Sequence, residues 1–321
     1  MTISATRYRQ IARSALLALV AIVVTGAAVR LTGSGLGCDD WPACNSERLI
    51  DVSSKHAAIE QVNRLFTGVV SVAVIAAVAG SVLRVPRRRD LIWLSGGLVA
   101  GVVGQAVLGG VTVRVDLHPL AVQGHMLLSL VLVANAVVLV HRAGEPDAGT
   151  RVRPVSPELS RHAFAVGALT AVALVTGTVV TGAGPHAGDE DARRFGVDIA
   201  AAARVHGATV VATVALMLAL AWRLRRRSAE RAELGEWVSA WVFVALVQGA
   251  VGYIQYFNEI PPLLVGVHVF GATALWGVTV GLALRTLPLR RAEAAQRTQA
   301  AVAIPAALVA DARAAHPRCL R

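Results

Sequence analysis

The sequence predicts an all-α membrane protein: eight transmembrane helices arranged as two tandem four-helix bundles by a parallel internal repeat. Three observations carry that prediction. Of 321 residues, 55% are hydrophobic and only 16% charged, where a soluble globular protein carries about a quarter; the mean hydropathy is +0.60. The apolar residues fall in eight blocks of about 17–25, the length that crosses a bilayer as a helix. Polar positions also recur at one spacing: Gln105 and Gln248, Pro119 and Pro262, and His125 and His268 are each 143 residues apart, the mark of a duplicated unit.

The first block, residues 14–31, follows Arg7, Arg9 and Arg13 and leads outward. Basic residues before an apolar run also mark a cleavable signal, but this block has a counterpart in the fifth and reads as a retained span. A loop rich in Gly, Asp, Trp and Cys fills 33–55, and the second block returns over 56–83. Residues 84–90 turn, and the third block goes out over 91–112. The outer turn 113–119 ends in Pro119, and the fourth block returns to about Val140. Residues 142–161 are polar, contain proline and separate the halves. The second half has blocks at 162–182, 199–222, 236–256 and 262–284, with a polar outer loop over 184–197. The domain division is therefore 1–141, a linker 142–161, 162–285, and an Ala- and Arg-rich tail 286–321.

Four spans per half is an even number, so the halves insert in the same orientation. The repeat also sets Val62-Asn63-Arg64 against Val205-His206-Gly207, and Val24-Thr25-Gly26 against Val175-Thr176-Gly177 across a longer first-half loop. The net charge of +11 comes from arginines gathered at 84–89, 142–161, 223–231 and 285–297. These occupy every second connection, the positive-inside pattern. It places both termini in the cytoplasm and makes the charge a topology signal, with no nucleic-acid partner implied.

His125, His206 and His268 each fall about five to eight residues into a span that starts at the outer face, hence about 8–12 Å below it. Asn63 holds the fourth such place. Ionisable side chains inside a membrane cost a few kcal/mol and mark sites. One histidine alone is readily an inter-helix hydrogen bond; three at one depth point to a cofactor. Zinc asks for more ligands, acids or thiolates, close together. Heme asks for one or two axial ligands in an apolar pocket with small residues, and Gly124, Gly207, Gly266 and Gly271 stand beside the histidines. A heme ligated by the neutral imidazoles of His206 and His268 suits the second half.

The first half pairs His125 with Asn63 and cannot form the same site. It has Glu60, one turn before Asn63 on the same helical face, where the second half has Ala203. Two readings stand. Glu60 and Arg64 form an i, i+4 pair that neutralises both, or Glu60 is a reactive-site carboxylate beside a second, weakly ligated heme. On the latter reading one half keeps a permanent cofactor and the other receives substrate.

Cys38 and Cys44 face the oxidising side under this topology and are expected to form a disulfide; Cys319 in the tail is expected to be a free thiol. Arg64, Arg114 and Arg204 near outer helix ends pair with heme propionates or snorkel to the interface. Gln105 and Gln248 read as inter-helix hydrogen bonds. His141, His162, His186 and His316 are assigned no chemistry. The G-S-G-L-G and G-A-G-P-H runs follow apolar helices rather than strands, a poor context for dinucleotide binding.

T-G-S-G-L-G-C-D-D-W-P-A-C, I-E-Q-V-N-R and the Q…G-H and Q…V-H spans together resemble the heme A synthase family over residues 14–285. The resemblance implies oxidation of the C8 methyl of heme O to a formyl group, through a hydroxymethyl, giving heme A for cytochrome oxidase assembly. It implies heme b, with its iron on His206 and His268, in the second half. It implies substrate heme on His125 in the first, with Glu60 catalytic and Asn63 and Arg64 lining the pocket. Many members have histidine where this chain has Asn63. Asparagine ligates iron poorly, so the substrate iron is five-coordinate on His125 or takes another side chain, with His56 and His118 as the candidates. Glu60 is expected to orient or deprotonate the water or hydroxyl attacking the methyl carbon. In the family it resembles, the loop that holds Cys38 and Cys44 is implicated in substrate handling, which leaves the pair redox-active or structural. Implied partners are heme O synthase, cytochrome oxidase assembly factors and an electron partner, in a multi-pass protein of the cell membrane, with a homo-oligomer open. Two alternatives remain. A b-type transmembrane electron-transfer cytochrome without substrate chemistry is opposed by Glu60 in one half only. A transporter of heme or small solutes is opposed by the twin histidine positions.

Overall fold

A computed structural model describes residues 2–152 and 154–291; Cys319, His316 and tail residues 292–321 lie outside the described residues. The described residues form eight helices: α1 (Ala5–Leu31), α2 (Lys55–Leu83), α3 (Arg89–Arg114), α4 (Pro119–Ala143), α5 (Pro157–Ala183), α6 (Ile199–Leu224), α7 (Ser228–Phe257) and α8 (Pro262–Arg285). All eight are long and apolar enough to cross a membrane. Two short strands, β1 (Thr150–Val152) and β2 (Leu289–Arg291), pair antiparallel and tie the linker to the segment after α8.

The helices start where caps allow. The Ser4, Ser54 and Asp198 side chains accept from backbone N–H groups in the first turns of α1, α2 and α6, satisfying donors that have no partner inside the helix. Pro119, Pro157 and Pro262 open α4, α5 and α8, where a missing N–H costs nothing. α1 and α7 begin well before the apolar blocks at 14 and 236. An apolar block marks only what sits in lipid; the backbone stays helical further, because Tyr8 and Ala12 of α1 and Leu234 of α7 are buried against neighbours.

Each half is a ring of four helices. α1 packs on α2, α2 on α3, α3 on α4, and α4 closes on α1; α5, α6, α7 and α8 repeat the circuit, with α8 closing on α5. The halves meet where α8 packs on α1 and α4, and α4 on α5. The Trp276 indole also donates across this seam to the Leu130 carbonyl at 2.9 Å. Diagonal partners, α2 with α4 and α6 with α8, barely approach one another.

The apolar cores sit at one end of these rings. In the first half Tyr8, Ala12, Leu19, Val74, Leu98 and Leu139 are buried together; in the second, Leu159, Met217, Leu220, Leu234, Trp241 and Leu282. These are the helix ends beside the arginine-rich turns. The opposite ends, which carry the long loops and the histidines, hold few fully buried apolar side chains.

A polar staple closes the arginine-rich end. Arg84 has no exposed side-chain surface and donates to Asp147 at 2.6 Å and to the Pro86 carbonyl at 2.5 Å. Arg88 bonds Asp90 at 2.7 Å and reaches Glu145, which Arg142 bonds at 3.0 Å. Burial disfavours the Arg88 charge, but its hydrogen bond to Asp90 and the charges of Asp90, Glu145 and Asp147 raise its pKa above the ordinary value. Removing one partner of a buried pair strands the other. Asp147→Ala is therefore expected to destabilise the protein by about 3 kcal/mol, read as a lower Tm in detergent; an unchanged Tm contradicts the staple.

Candidate functional site

In the second half, α6 carries His206 in its third turn and α8 carries His268 in its second, so the two imidazoles come from diagonal helices across the loosely filled end of the ring. The Thr176 hydroxyl of α5 is 3.2 Å from His206 Nδ1 and 3.1 Å from the Thr209 hydroxyl. Gly177 lets the ring lie against α5: a Cβ there would sit 3.1 Å from His206 Cε1. His268 is held by α7. Gln248 Nε2 donates to the His268 carbonyl at 2.9 Å, and a Cβ on Gly252 would sit 3.3 Å from His268 Cε1. His268 Nδ1 is buried without a hydrogen-bond partner.

The first half repeats this arrangement with one substitution. Gln105 Nε2 donates to the His125 carbonyl at 3.1 Å and to the Ser129 hydroxyl at 2.7 Å. Gly109 stands against His125 as Gly252 does against His268, with Cε1 3.4 Å from its Cβ position, and His125 Nδ1 is likewise buried and unpartnered. On the facing helix Asn63 takes the place of His206. Its Oδ1 accepts from the Thr25 hydroxyl at 2.7 Å, the counterpart of the Thr176–His206 contact.

What the first half adds is a roof. Glu60 is 6% exposed. Its Oε2 accepts from the Cys38 backbone N–H at 2.8 Å, and its Oε1 accepts from Arg64 at 2.6 and 2.9 Å. Arg64 also donates to the carbonyls of Asp40 and Ala43 at 3.0 and 3.1 Å. Cys38 and Cys44 form a disulfide within this loop and are both buried. Trp41 lies on Gly110 of α3, its indole carbons 2.9 Å from that residue's Cβ position, and Arg114 donates to the Trp41 carbonyl at 3.3 Å. The Glu60–Arg64 pair is thus formed, and it does more than neutralise two charges: it fastens the 38–44 loop across α2 while Arg114 fastens it to α3.

The other candidates are engaged differently. Arg64 and Arg114 direct donors to loop carbonyls rather than leaving them free for propionates, and Arg204 is exposed. His56 Nδ1 is 2.9 Å from the Ser34 hydroxyl, and His118 caps α4; both take part in local loop structure. His162 and His186 donate through Nε2 to the carbonyls of Leu216 and Ile260. Among the described residues no three His, Cys, Asp or Glu side chains gather as a metal cluster. Sequence reasoning placed Thr25 and Thr176 in the repeat without assigning them to the site, and missed Gly109 and Gly252. Their signal was present in the repeated V-T-G and Q-x-x-x-G stretches, which bracket the histidines in both halves.

Fold and site together define a multi-pass helical membrane protein with intramembrane histidines at matched places in two four-helix rings. The family model described as cytochrome oxidase assembly protein (COX15-CtaA) matches residues 9–58 and 48–188. The chain belongs to this family. Among curated relatives, the heme A synthase of Bacillus licheniformis is 26% identical over 167 residues, 51% of this chain and 55% of the relative. That of Lysinibacillus sphaericus is 27% identical over 170 residues, covering 52% and 55%. The heme A synthase of an Exiguobacterium strain is 26% identical over 165 residues, covering 51% and 54%. The matched stretch spans about half the length of these relatives.

Proposed function

We propose that this chain is a heme A synthase, oxidising the C8 methyl of heme O to a formyl group through a hydroxymethyl, with heme b as its resident cofactor. One observation carries the reading. The Thr176–His206 and Gln248–His268 contacts recur as Thr25–Asn63 and Gln105–His125, while Glu60 and its roof occur in the first half alone. The two pockets are built alike and then made unlike, as a permanent cofactor site and a substrate site would be.

The residues of the second half suit a heme. Two imidazoles come from diagonal helices that stand apart; glycines clear space against both rings, Thr176 contacts the His206 ring as ligand-orienting groups do in metal sites, and Gln248 holds the backbone that carries His268. Heme b, when bound by His206 and His268, supplies one-electron redox capacity. In the first half, His125 takes the iron of the substrate. Asn63 lines that pocket, because its carbonyl oxygen is committed to Thr25. Arg64 and the backbone N–H groups of Cys38 and Gly37 hold the Glu60 carboxylate in place. From there the carboxylate orients or deprotonates the water or hydroxyl bound for the methyl carbon.

On this reading 1–141 is the substrate half and 162–285 the heme b half of a duplicated unit, with both termini in the cytoplasm. Heme O synthase, assembly factors of cytochrome oxidase and an electron partner are the expected associates. The Glu60–Arg64 pair favours one rival, a b-type electron-transfer cytochrome in which that pair is only structural. Pigments extracted from protein purified out of cells that make heme O separate the cases. Heme B together with heme O or heme A is the expected result; heme B alone gives the rival, and a protein without heme sinks both.

A further inference from the structure

Two arginines at the outer side of the seam between the halves carry charge that nothing recorded beside them balances. Arg30, in the last turn of α1, donates through Nη2 to the Thr181 carbonyl of α5 at 2.5 Å; its Nε is buried without a partner. Arg194, in the loop between α5 and α6, donates through Nη2 to the Pro185 carbonyl at 2.8 Å; its Nη1 is also buried and unpartnered. The carbonyls they bond, those of Thr181 and Pro185, lie four residues apart at the end of α5, and among the described residues neither arginine forms an ion pair with a carboxylate. Buried donors left unpaired are costly, and like charges brought together out of water more so. Such an arrangement calls for an anion, and guanidinium groups match the planar oxygens of carboxylate and phosphate.

The position says which anion. Thr181 lies one turn beyond Gly177, the residue that packs on the His206 ring, and Leu31, next to Arg30, packs on Gly266, two residues before His268. Arg30 therefore stands about one helical turn from the residues packed on His206 and beside the start of the helix that carries His268. Gly188, at φ +104°, lies against the Arg30 side chain, where an added Cβ would sit 3.7 Å from Arg30 Cγ, and Leu117, Ala187 and Ala192 are buried together nearby.

We propose that Arg30 and Arg194 form an oxyanion clamp that binds a carboxylate of the porphyrin held by His206 and His268. The clamp rests on the reading that those histidines carry a heme. It draws an arginine of the first half into the cofactor site of the second.

The test uses full-length protein purified with its heme, as wild type and as Arg30→Gln, Arg30→Lys and Arg194→Gln. Removing positive charge beside a porphyrin carboxylate disfavours the reduced iron and makes that carboxylate a weaker acid. Both Gln variants are expected to keep their heme, to show a lower midpoint potential than wild type, and to shift the pH dependence of that potential upward; Arg30→Lys is expected to restore part of the change. Potentials and pH profiles that ignore both arginines in heme-bearing protein overturn the clamp alone. If those values hold while anionic phospholipid, measured as co-purifying phosphate, is lost, the arginines hold a lipid headgroup and the porphyrin assignment fails. Wild-type protein without heme overturns the histidine reading and the clamp together. Arg194 lies in a loop, so its variant tests the idea even where Arg30→Gln disturbs helix packing.

Discussion

Replacing His268 with alanine is expected to remove the second-half heme, seen as loss of its absorption in purified protein and of heme B from the extracted pigment. The expectation follows from how the ring is built. α6 and α8 do not pack closely on each other, and on the proposed reading each supplies one of the two imidazoles that hold the heme. Gln248 would still hold the backbone of α8, leaving an alanine with nothing to offer iron. His206→Ala is expected to act alike, since one imidazole cannot reproduce paired ligation. Undiminished heme B in either variant removes the facing histidines from the cofactor site.

Glu60→Gln is expected to leave heme B in place and to lower conversion of heme O by about 10²–10⁴-fold, the range in which a positioned acid or base contributes. Glutamine keeps an oxygen that the Cys38 N–H can reach, but it lacks the charge that holds Arg64. The comparison with Arg64→Gln therefore decides between chemistry and architecture. That second change removes the bonds to Asp40 and Ala43 while keeping the carboxylate. If the two variants lose activity equally, Glu60 serves the roof; if Glu60→Gln is far worse, the carboxylate serves the reaction. Product analysis by pigment extraction reads both, and thermal unfolding in detergent reports any cost of breaking the buried pair.

The eight spans were legible because a membrane crossing imposes length and apolarity on a continuous stretch, and nothing else in the chain imitates that. Helix ends were less so. α1 reaches back to Ala5 and α7 to Ser228 through turns whose polar composition reads as loop. The histidine level was visible from their depth and the 143-residue spacing. The roof was not. Arg64 meets the carbonyls of Asp40 and Ala43, and Glu60 meets the N–H of Cys38; main-chain partners leave no trace in residue identity. Arg30 was missed for a related reason. Its neighbours Thr181 and Arg194 belong to the other half, about 150 residues away in sequence, and only the folded seam joins them.

The tether on the 38–44 loop has a mechanical consequence. Glu60 and Arg64, one turn apart on a single helix, grip three residues of that loop, and Arg114 holds a fourth point on it. Hydrogen bonds to charged groups contribute about 1.5–3 kcal/mol each, so the flap stays latched unless several release at once. Because the carboxylate is itself the latch, it cannot swing free toward a guest without loosening the hatch above it. On the proposed reading, admission of a guest and the placement of its chemical partner are coupled through these same bonds.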